Sequence, residues 1–208
     1  NDRQSYQDGL FRLEIPTFDE QVVREAILNA VSHRDYRLGG SVFVRQFPRR
    51  MEIVSPGGLP AGITPQNILD RQSPRNRRIA EAFARCGLIE RSGQGINRMF
   101  EQSIKQSKPL PDFAGSDEYQ VNLVLRGDVQ DVAFVRFLEK LGAERLASFG
   151  THDFLVLDCV RNERPIPEKL QDRIDRLLEF GVIERLGRGR GARLMLSRAL
   201  YAVMGATG

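Results

Sequence analysis

Glu25, Asn29 and His33 recur at i, i+4 and i+8 in the run R-E-A-I-L-N-A-V-S-H-R-D-Y, residues 24–36. At about 100° per residue, that spacing stacks an acid, an amide and an imidazole along one arc of a helix. The arc lies beside the apolar stripe Val22, Val23, Ala26, Ile27, Ala30 and Val31, so it can line a pocket wall while its neighbours pack in a core. A carboxylate there can activate a water, and an amide oxygen can enter a Mg²⁺ shell that phosphates complete. A solvated flank with i,i+4 hydrogen bonds has the same pattern. On the helix alone both readings stand.

Two glycine-rich loops accompany this helix. Ser55-Pro56-Gly57-Gly58 follows an alternating segment, and Ser92-Gly93-Gln94-Gly95 precedes a helical one. Glycine allows positive φ and close backbone approach, and N–H groups at a helix start attract phosphate. Gly pairs also mark ordinary turns. The P-loop pattern G-x-x-x-x-G-K-[ST] is absent, which excludes a Walker-type motor in these residues.

A second group of chemistry-bearing residues lies near the end of the chain. Lys169, Arg173 and Arg176 fall in one amphipathic segment, and Arg188, Arg190 and Arg193 in and beside the run G-R-G-R-G-A-R. Arginines on a Gly-rich hairpin tip can reach backbone phosphate or the minor groove, while a preceding helix can enter the major groove. Asp172, Asp175 and Glu179 nearly neutralise that helix, so packing or dimerisation is the competing reading. Arg75, Arg77 and Arg78 make another basic cluster, read as a solvated face or a phosphate site.

The elements that must position these groups are legible from periodicity and punctuation. A helix is expected over 17–36, opened by a Thr17/Glu20 capping box. Strands are expected at 41–46, 50–54 and 119–126, with helices at 76–86 and from 96 to about 105. Beyond residue 131 the pattern changes to helices at 132–146, 153–161 and 167–180, then short strands at 182–185 and 193–197. Two domains follow, 1–128 and 129–208, the second ordered helix, helix, hairpin as in a winged helix. Phe11, Phe43, Phe47, Phe83, Phe100 and Phe113 are expected in the core, and Tyr36 either stacks on a base or packs inside. His152 is expected at a helix start.

Composition narrows the class. Of 208 residues 41 % are hydrophobic and 28 % charged, enough for packed cores. The net charge of +4 permits nucleic acid as a partner without requiring it. No apolar run approaches the ~20 residues of a spanning helix, and the polar first residues do not read as a secretory leader. Cys86 and Cys159 have no ligand spacing and sit in apolar helical contexts, so they read as reduced core residues of a cytoplasmic protein. The chain does not begin with Met, and a longer parent protein is expected.

The order of an ExxxN helix, two strands, a Gly loop, a helix, a GxG loop, a helix and a strand resembles the Bergerat-fold (GHKL) ATPases. Three stretches narrow the likeness: residues 24–36, E-I-V-S-P-G-G-L-P-A-G-I-T (52–64) and R-N-R-R-I-A-E-A-F-A-R-C-G-L-I-E-R-S-G-Q-G-I-N-R-M (75–99). These are similar to a family of transcriptional regulators labelled as RecG-related ATP-dependent helicases. The resemblance spans residues 10–126. It implies an α+β chain, a Bergerat-like α/β sandwich followed by a small winged helix, behind a Schlafen-like (Alba-type) DNA-binding domain. It further implies ATP and Mg²⁺ as cofactors, with Glu25 as the water-activating base and Asn29 as the Mg²⁺ ligand. His33, Ser55, Gly57, Gly58, Gly93 and Gly95 would line the nucleotide site.

One departure is plain. Bergerat ATPases read adenine with an Asp, and the matching place here is Ser55-Pro56-Gly57, which loses a charge-assisted hydrogen bond. The expected function is therefore that of a DNA-associated, homo-oligomeric transcriptional regulator whose nucleotide modulates DNA binding or assembly. An active GHKL-type ATPase and a non-catalytic dimerisation scaffold are the alternatives. In an inactive pocket the Glu25–Asn29–His33 stripe would instead order loops such as the one at Arg75-Asn76.

Overall fold

The structure, a computed structural model, describes residues 1–8, 11–71, 73–89, 94–187 and 193–201. The chain is of mixed α+β type and divides into two units, Asn1–Gln130 and Asp131–Gly208. Among the described residues no helix is long and apolar enough to cross a membrane.

The first unit opens with strands β1 (Arg3–Asp8) and β2 (Phe11–Pro16), an antiparallel pair that the sequence did not announce. β2 alternates apolar and polar at Phe11, Leu13 and Ile15, but its partner β1, R-Q-S-Y-Q-D, is polar and hides the pairing. Gln4 Nε2 donates to the Gly127 carbonyl at 2.6 Å, tying the pair to the far end of the unit. Helix α1 follows at Glu20–His33, shorter than the expected 17–36. Asp19 caps it in place of Thr17, its Oδ1 accepting from the Gln21 and Val22 N–H groups at 2.9 and 3.1 Å. At the other end the Asp35 N–H leaves the helical pattern to donate to the Pro56 carbonyl.

Strands β3 (Phe43–Gln46), β4 (Arg50–Pro56) and β5 (Gln120–Arg126) form an antiparallel sheet in the order β3-β4-β5. In β4, Met51, Ile53 and Ser55 are buried and the alternate residues are not, the period-two pattern of a sheet covered on one side. Helices α2 (Arg77–Arg85) and α3 (Gly95–Lys105) complete the unit. Val22 and Ala26 of α1 and Met99, Phe100 and Ile104 of α3 form the core with Met51, Ile53, Leu123 and Leu125 of the sheet.

Two expectations about apolar residues change. Phe43 and Phe47 are exposed because β3 is an edge strand open on both faces, and Tyr36 is exposed with its hydroxyl donating to the Val31 carbonyl of α1 at 3.0 Å. Cys86 is exposed because α2, which it follows, buries none of its own residues. Cys159 is half-buried, Phe83 is half-buried, and Phe100 and Phe113 are buried as expected.

The second unit holds α4 (Val132–Leu141), α5 (Ala143–Ala147), α6 (Thr151–Arg161), a 3₁₀ turn at Glu168–Leu170, α7 (Asp172–Glu179), the antiparallel pair β6 (Ile183–Leu186) and β7 (Arg193–Leu196), and α8 (Arg198–Tyr201). Gly142, at φ +81°, splits the helix expected over 132–146. The core is aromatic and aliphatic: Phe134, Phe137, Phe154, Leu157, Leu177 and Val182.

Within that core Asp158, 2 % exposed, accepts from Arg161 Nη2 at 2.7 Å and from Arg164. The Arg161 guanidinium lies 4.8 Å from the Phe134 ring centre. Removing one member of a buried pair strands the other charge in a low-dielectric interior. Asp158→Ala is therefore expected to destabilise the second unit by about 3–5 kcal/mol in denaturant unfolding, against about 1 kcal/mol or less for an exposed pair such as Arg185–Asp175.

Candidate functional site

On α1 the i,i+4 spacing brings side chains into contact. Asn29 Nδ2 donates to Glu25 Oε1 at 2.8 Å and to the Glu25 carbonyl at 2.9 Å. With its nitrogen so engaged, the amide offers its oxygen to a ligand. The start of α3 packs against the same carboxylate: a Cβ built on Gly95 would fall inside the Glu25 side chain. Only a glycine lets that helix N-terminus approach so closely, and its N–H dipoles favour the negative charge there.

These residues edge a cavity of about 660 Å³. Ile53, Ile68, Met99, Phe113 and Leu123, all buried, make its floor. Arg71, Arg77, Arg85 and Arg98 stand around it against two acids, Glu25 and Glu81. An apolar floor under an excess of guanidinium charge suits a flat apolar group that carries an anionic tail.

His33 lines the cavity at the last turn of α1. Burial pushes its pKa down, and the neighbouring Arg75 cation lowers it further, so the imidazole is neutral near pH 7. The Ser55 hydroxyl donates to the Ala30 carbonyl at 2.8 Å, bracing β4 on α1 and leaving its oxygen able to accept from a ligand amine.

The loop after β4 is held by its glycines. Gly57 is at φ +90°, and a Cβ on it would meet Arg75 Nη1 and Asp35 Cβ, each at 2.5 Å. The Gly57 and Gly58 N–H groups donate to the Tyr119 and Glu118 carbonyls, so they hold the loop to the chain before β5. Gly58 lines the cavity; Gly57 packs behind it. Gly93 lies outside the described residues.

Arg75 and Asn76 are more deeply built in than a solvated basic cluster. Arg75 donates to the His33 carbonyl at 3.2 Å and to the Gly58 carbonyl at 2.7 Å. Asn76 Nδ2 reaches the Ser32 and Arg34 carbonyls at 2.9 and 2.7 Å. Together they satisfy backbone acceptors at the end of α1 that have no intrahelical donor. Asp35 lies against this clamp. Arg37 holds its carboxylate by a two-pronged contact at 3.0 and 2.6 Å, which keeps its pKa well below the usual carboxylate range.

The cavity arginines 71, 85 and 98 escaped the sequence reading. Arg98, one turn into the helix that Gly95 opens, had a usable signal; Arg71 and Arg85 had none, being brought to the cavity by the fold around it.

In the second unit the basic residues divide. Arg176, half-exposed, is engaged by its own unit, donating to the Ser148 carbonyl at 2.7 Å and pairing with buried Asp153 at 3.3 Å. Arg173 lies 3.2 Å from Asp172. Lys169 and Arg193 are exposed, and Arg188 and Arg190 lie outside the described residues.

Residues 39–125 match the family described as "Putative ATP-dependent DNA helicase recG C-terminal". This stretch runs from the approach to β3 nearly to the end of β5 and is similar to an ATPase-like domain of the RecG C-terminal type. The match takes in the cavity loops but begins after Glu25, Asn29 and His33. No curated protein matches the chain. Among solved structures, the DIP2311 protein of Corynebacterium diphtheriae shares the fold, with a TM-score of 0.77 at 24 % identity. The match covers 98 % of this chain and 44 % of that one, so the present chain spans less than half of its length.

Two outcomes follow from this geometry. Gly95→Ala is expected to cost about 1–3 kcal/mol in urea unfolding by driving Glu25 from its place, while Gly39→Ala, where a Cβ meets nothing within 4 Å, stays within about 0.5 kcal/mol. For His33, the folded pKa lies below the unfolded value of about 6.5, so the unfolded chain binds more protons on acidification. Stability is thus expected to fall as pH drops below about 6.5, and the urea midpoint of His33→Gln to fall less over the same range.

Proposed function

We propose that the first unit binds a nucleoside triphosphate with Mg²⁺ in the cavity beside α1. In this reading the bound nucleotide governs how a transcriptional regulator engages DNA or assembles with further copies of itself. One observation carries it: Glu25, Asn29 and Gly95 meet at the wall of a cavity whose floor is apolar and whose surround is rich in arginine. The match of residues 39–125 to an ATPase-like domain supports the same reading.

The residues present suit such a ligand. A volume of about 660 Å³ lies within the ordinary range for small-molecule sites, roughly 300–1,000 Å³. Mg²⁺ takes one or two protein oxygens and completes its shell from phosphates and water, and the Asn29 amide oxygen is such a donor. Arg71, Arg77, Arg85 and Arg98 supply the positive field for the phosphates. Ser55, whose proton is committed to the Ala30 carbonyl, accepts from an exocyclic amine where relatives use a carboxylate. Mg²⁺ would neutralise phosphate charge, and Glu25 is the group placed to take a proton from an attacking water. Turnover is a separate reading, favoured by that carboxylate at the cavity wall and tested by phosphate release, which Glu25→Gln would eliminate.

The second unit, in this proposal, is a winged helix. Helices α6 and α7 followed by the hairpin β6–β7 give the order helix, helix, wing. With Arg176 engaged by Ser148 and Asp153, Lys169 and Arg193 are the cations among the described residues that would face phosphate.

Thermal unfolding with and without ATP–Mg²⁺ tests the pocket. Ligand at about 100 times its Kd adds about 2.7 kcal/mol of stability. Asn29→Ala is expected to keep the fold and lose the Mg²⁺-dependent part of that gain; unchanged affinity in the variant would overturn the assignment.

A further inference from the structure

The sheet face opposite the cavity carries groups that the nucleotide site does not use. Strand alternation turns Met51, Ile53 and Ser55 inward, so Glu52 and Val54 belong to the outer face. In register, Phe43 stands across from Val54 and Arg45 from Glu52, which places both on that outer face. Phe47 continues the alternation, its N–H bonded to the Arg50 carbonyl at 2.7 Å. Along an extended chain Phe43 and Phe47 are roughly 13 Å apart, with Arg45 between them.

Two aromatic rings here are open to solvent, and each has a guanidinium over it. Phe43 is 51 % exposed, with Arg45 5.7 Å from its ring centre. Phe47 is 40 % exposed, with Arg50 at 4.6 Å. Tyr36, also exposed, does not belong to this face: its hydroxyl donates to the Val31 carbonyl of α1 at 3.0 Å. A guanidinium on one face of a ring leaves the other face open for stacking and is itself placed to meet a phosphate.

Charge points the same way. Residues 34–50 hold five arginines (34, 37, 45, 49 and 50) and a single acid, Asp35, a net +4 that equals the charge of the whole chain. The other 191 residues carry 26 basic and 26 acidic groups. The acids that approach the patch are Asp35 on Arg37, Asp128 at 3.8 Å from Arg49, and Glu52 at 3.8 and 3.2 Å from Arg45 and Arg50. Of these pairs only Arg49–Asp128 is exposed on both sides, but the arginine of each pair stays open to solvent, so a polyanion can reach all of these guanidinium groups.

We propose that this outer edge of the β3-β4-β5 sheet binds single-stranded nucleic acid, with Phe43 and Phe47 stacking on bases and Arg45, Arg49 and Arg50 taking phosphates. Unstacked bases have free faces for these rings; in a duplex those faces are already covered. An acidic protein would answer the charge but has no use for two rings presented beside it. The surface lies on the opposite side of the sheet from the cavity and does not depend on nucleotide being bound there.

The test is fluorescence anisotropy of the whole chain with a labelled oligothymidylate of about 20 nucleotides, and with a duplex of equal length, over a salt series. The expected result is tighter binding to the single strand, weakened tenfold or more in Phe43→Ala/Phe47→Ala with an unchanged thermal midpoint. Arg45→Ala should reduce the salt slope by about 0.7 for the lost phosphate contact. Lys169→Ala/Arg193→Ala, which tests the second unit, should weaken duplex binding and spare the single strand. Unchanged oligothymidylate affinity in the double Phe variant, or a preference for duplex, overturns the proposal. So does a double Phe variant that turns a dimer into a monomer in sedimentation without altering that affinity, which would assign the edge to a second copy.

Discussion

The last turn of α1 presents carbonyls that the helix itself cannot satisfy, and the construction of the first unit depends on how they are met. Arg75 and Asn76, more than forty residues away in sequence, donate to the Ser32, His33 and Arg34 carbonyls. Because Arg75 also holds the Gly58 carbonyl, the segment 59–74 leaves and returns at nearly one point. That tie makes a compact loop of the kind that can carry binding groups at small entropic cost. Leu59, Pro60, Ile63, Ile68 and Arg71 of this loop then close one side of the cavity.

The opposite side is set by a close approach. Gly95 lets the start of α3 rest on the Glu25 carboxylate, which in turn holds the Asn29 amide. A larger residue there would move the helix, the acid and the amide together. The two glycine loops thus do different things. Gly57 and Gly58 spend their N–H groups on the chain before β5, whereas Gly95 serves by having no side chain.

In the second unit, charge that looks like a binding surface in one dimension is partly structural. Arg161 and Asp158 are joined inside the fold, and half-exposed Arg176 is held by buried Asp153. Helix α7 therefore presents fewer exposed cations than its composition suggests. In the first unit the reverse holds: aromatic residues with a core-like pattern stand in the open, because β3 has a neighbour on one edge only and packed helices on neither face.

Periodicity and glycine punctuation by themselves determined the α+β character, the elements of the first unit from α1 to β5 to within a few residues, and the juxtaposition of Glu25 with Asn29. These are local consequences of 3.6- and 2-residue periods and of which residues tolerate a turn. The β1–β2 pair was hard to read because β1 is polar, whatever the alternation of β2, and the bond that ties it down runs from Gln4 to distant Gly127. The start of α1 was misplaced because Thr17 and Asp19 are both competent caps, and only Asp19 also meets Gln106. The arginines around the cavity, the Arg75–Asn76 clamp and the exposure of Phe43 and Phe47 were decided by the tertiary structure alone. Each depends on which segments meet across tens of residues, and a one-dimensional pattern carries no record of such meetings.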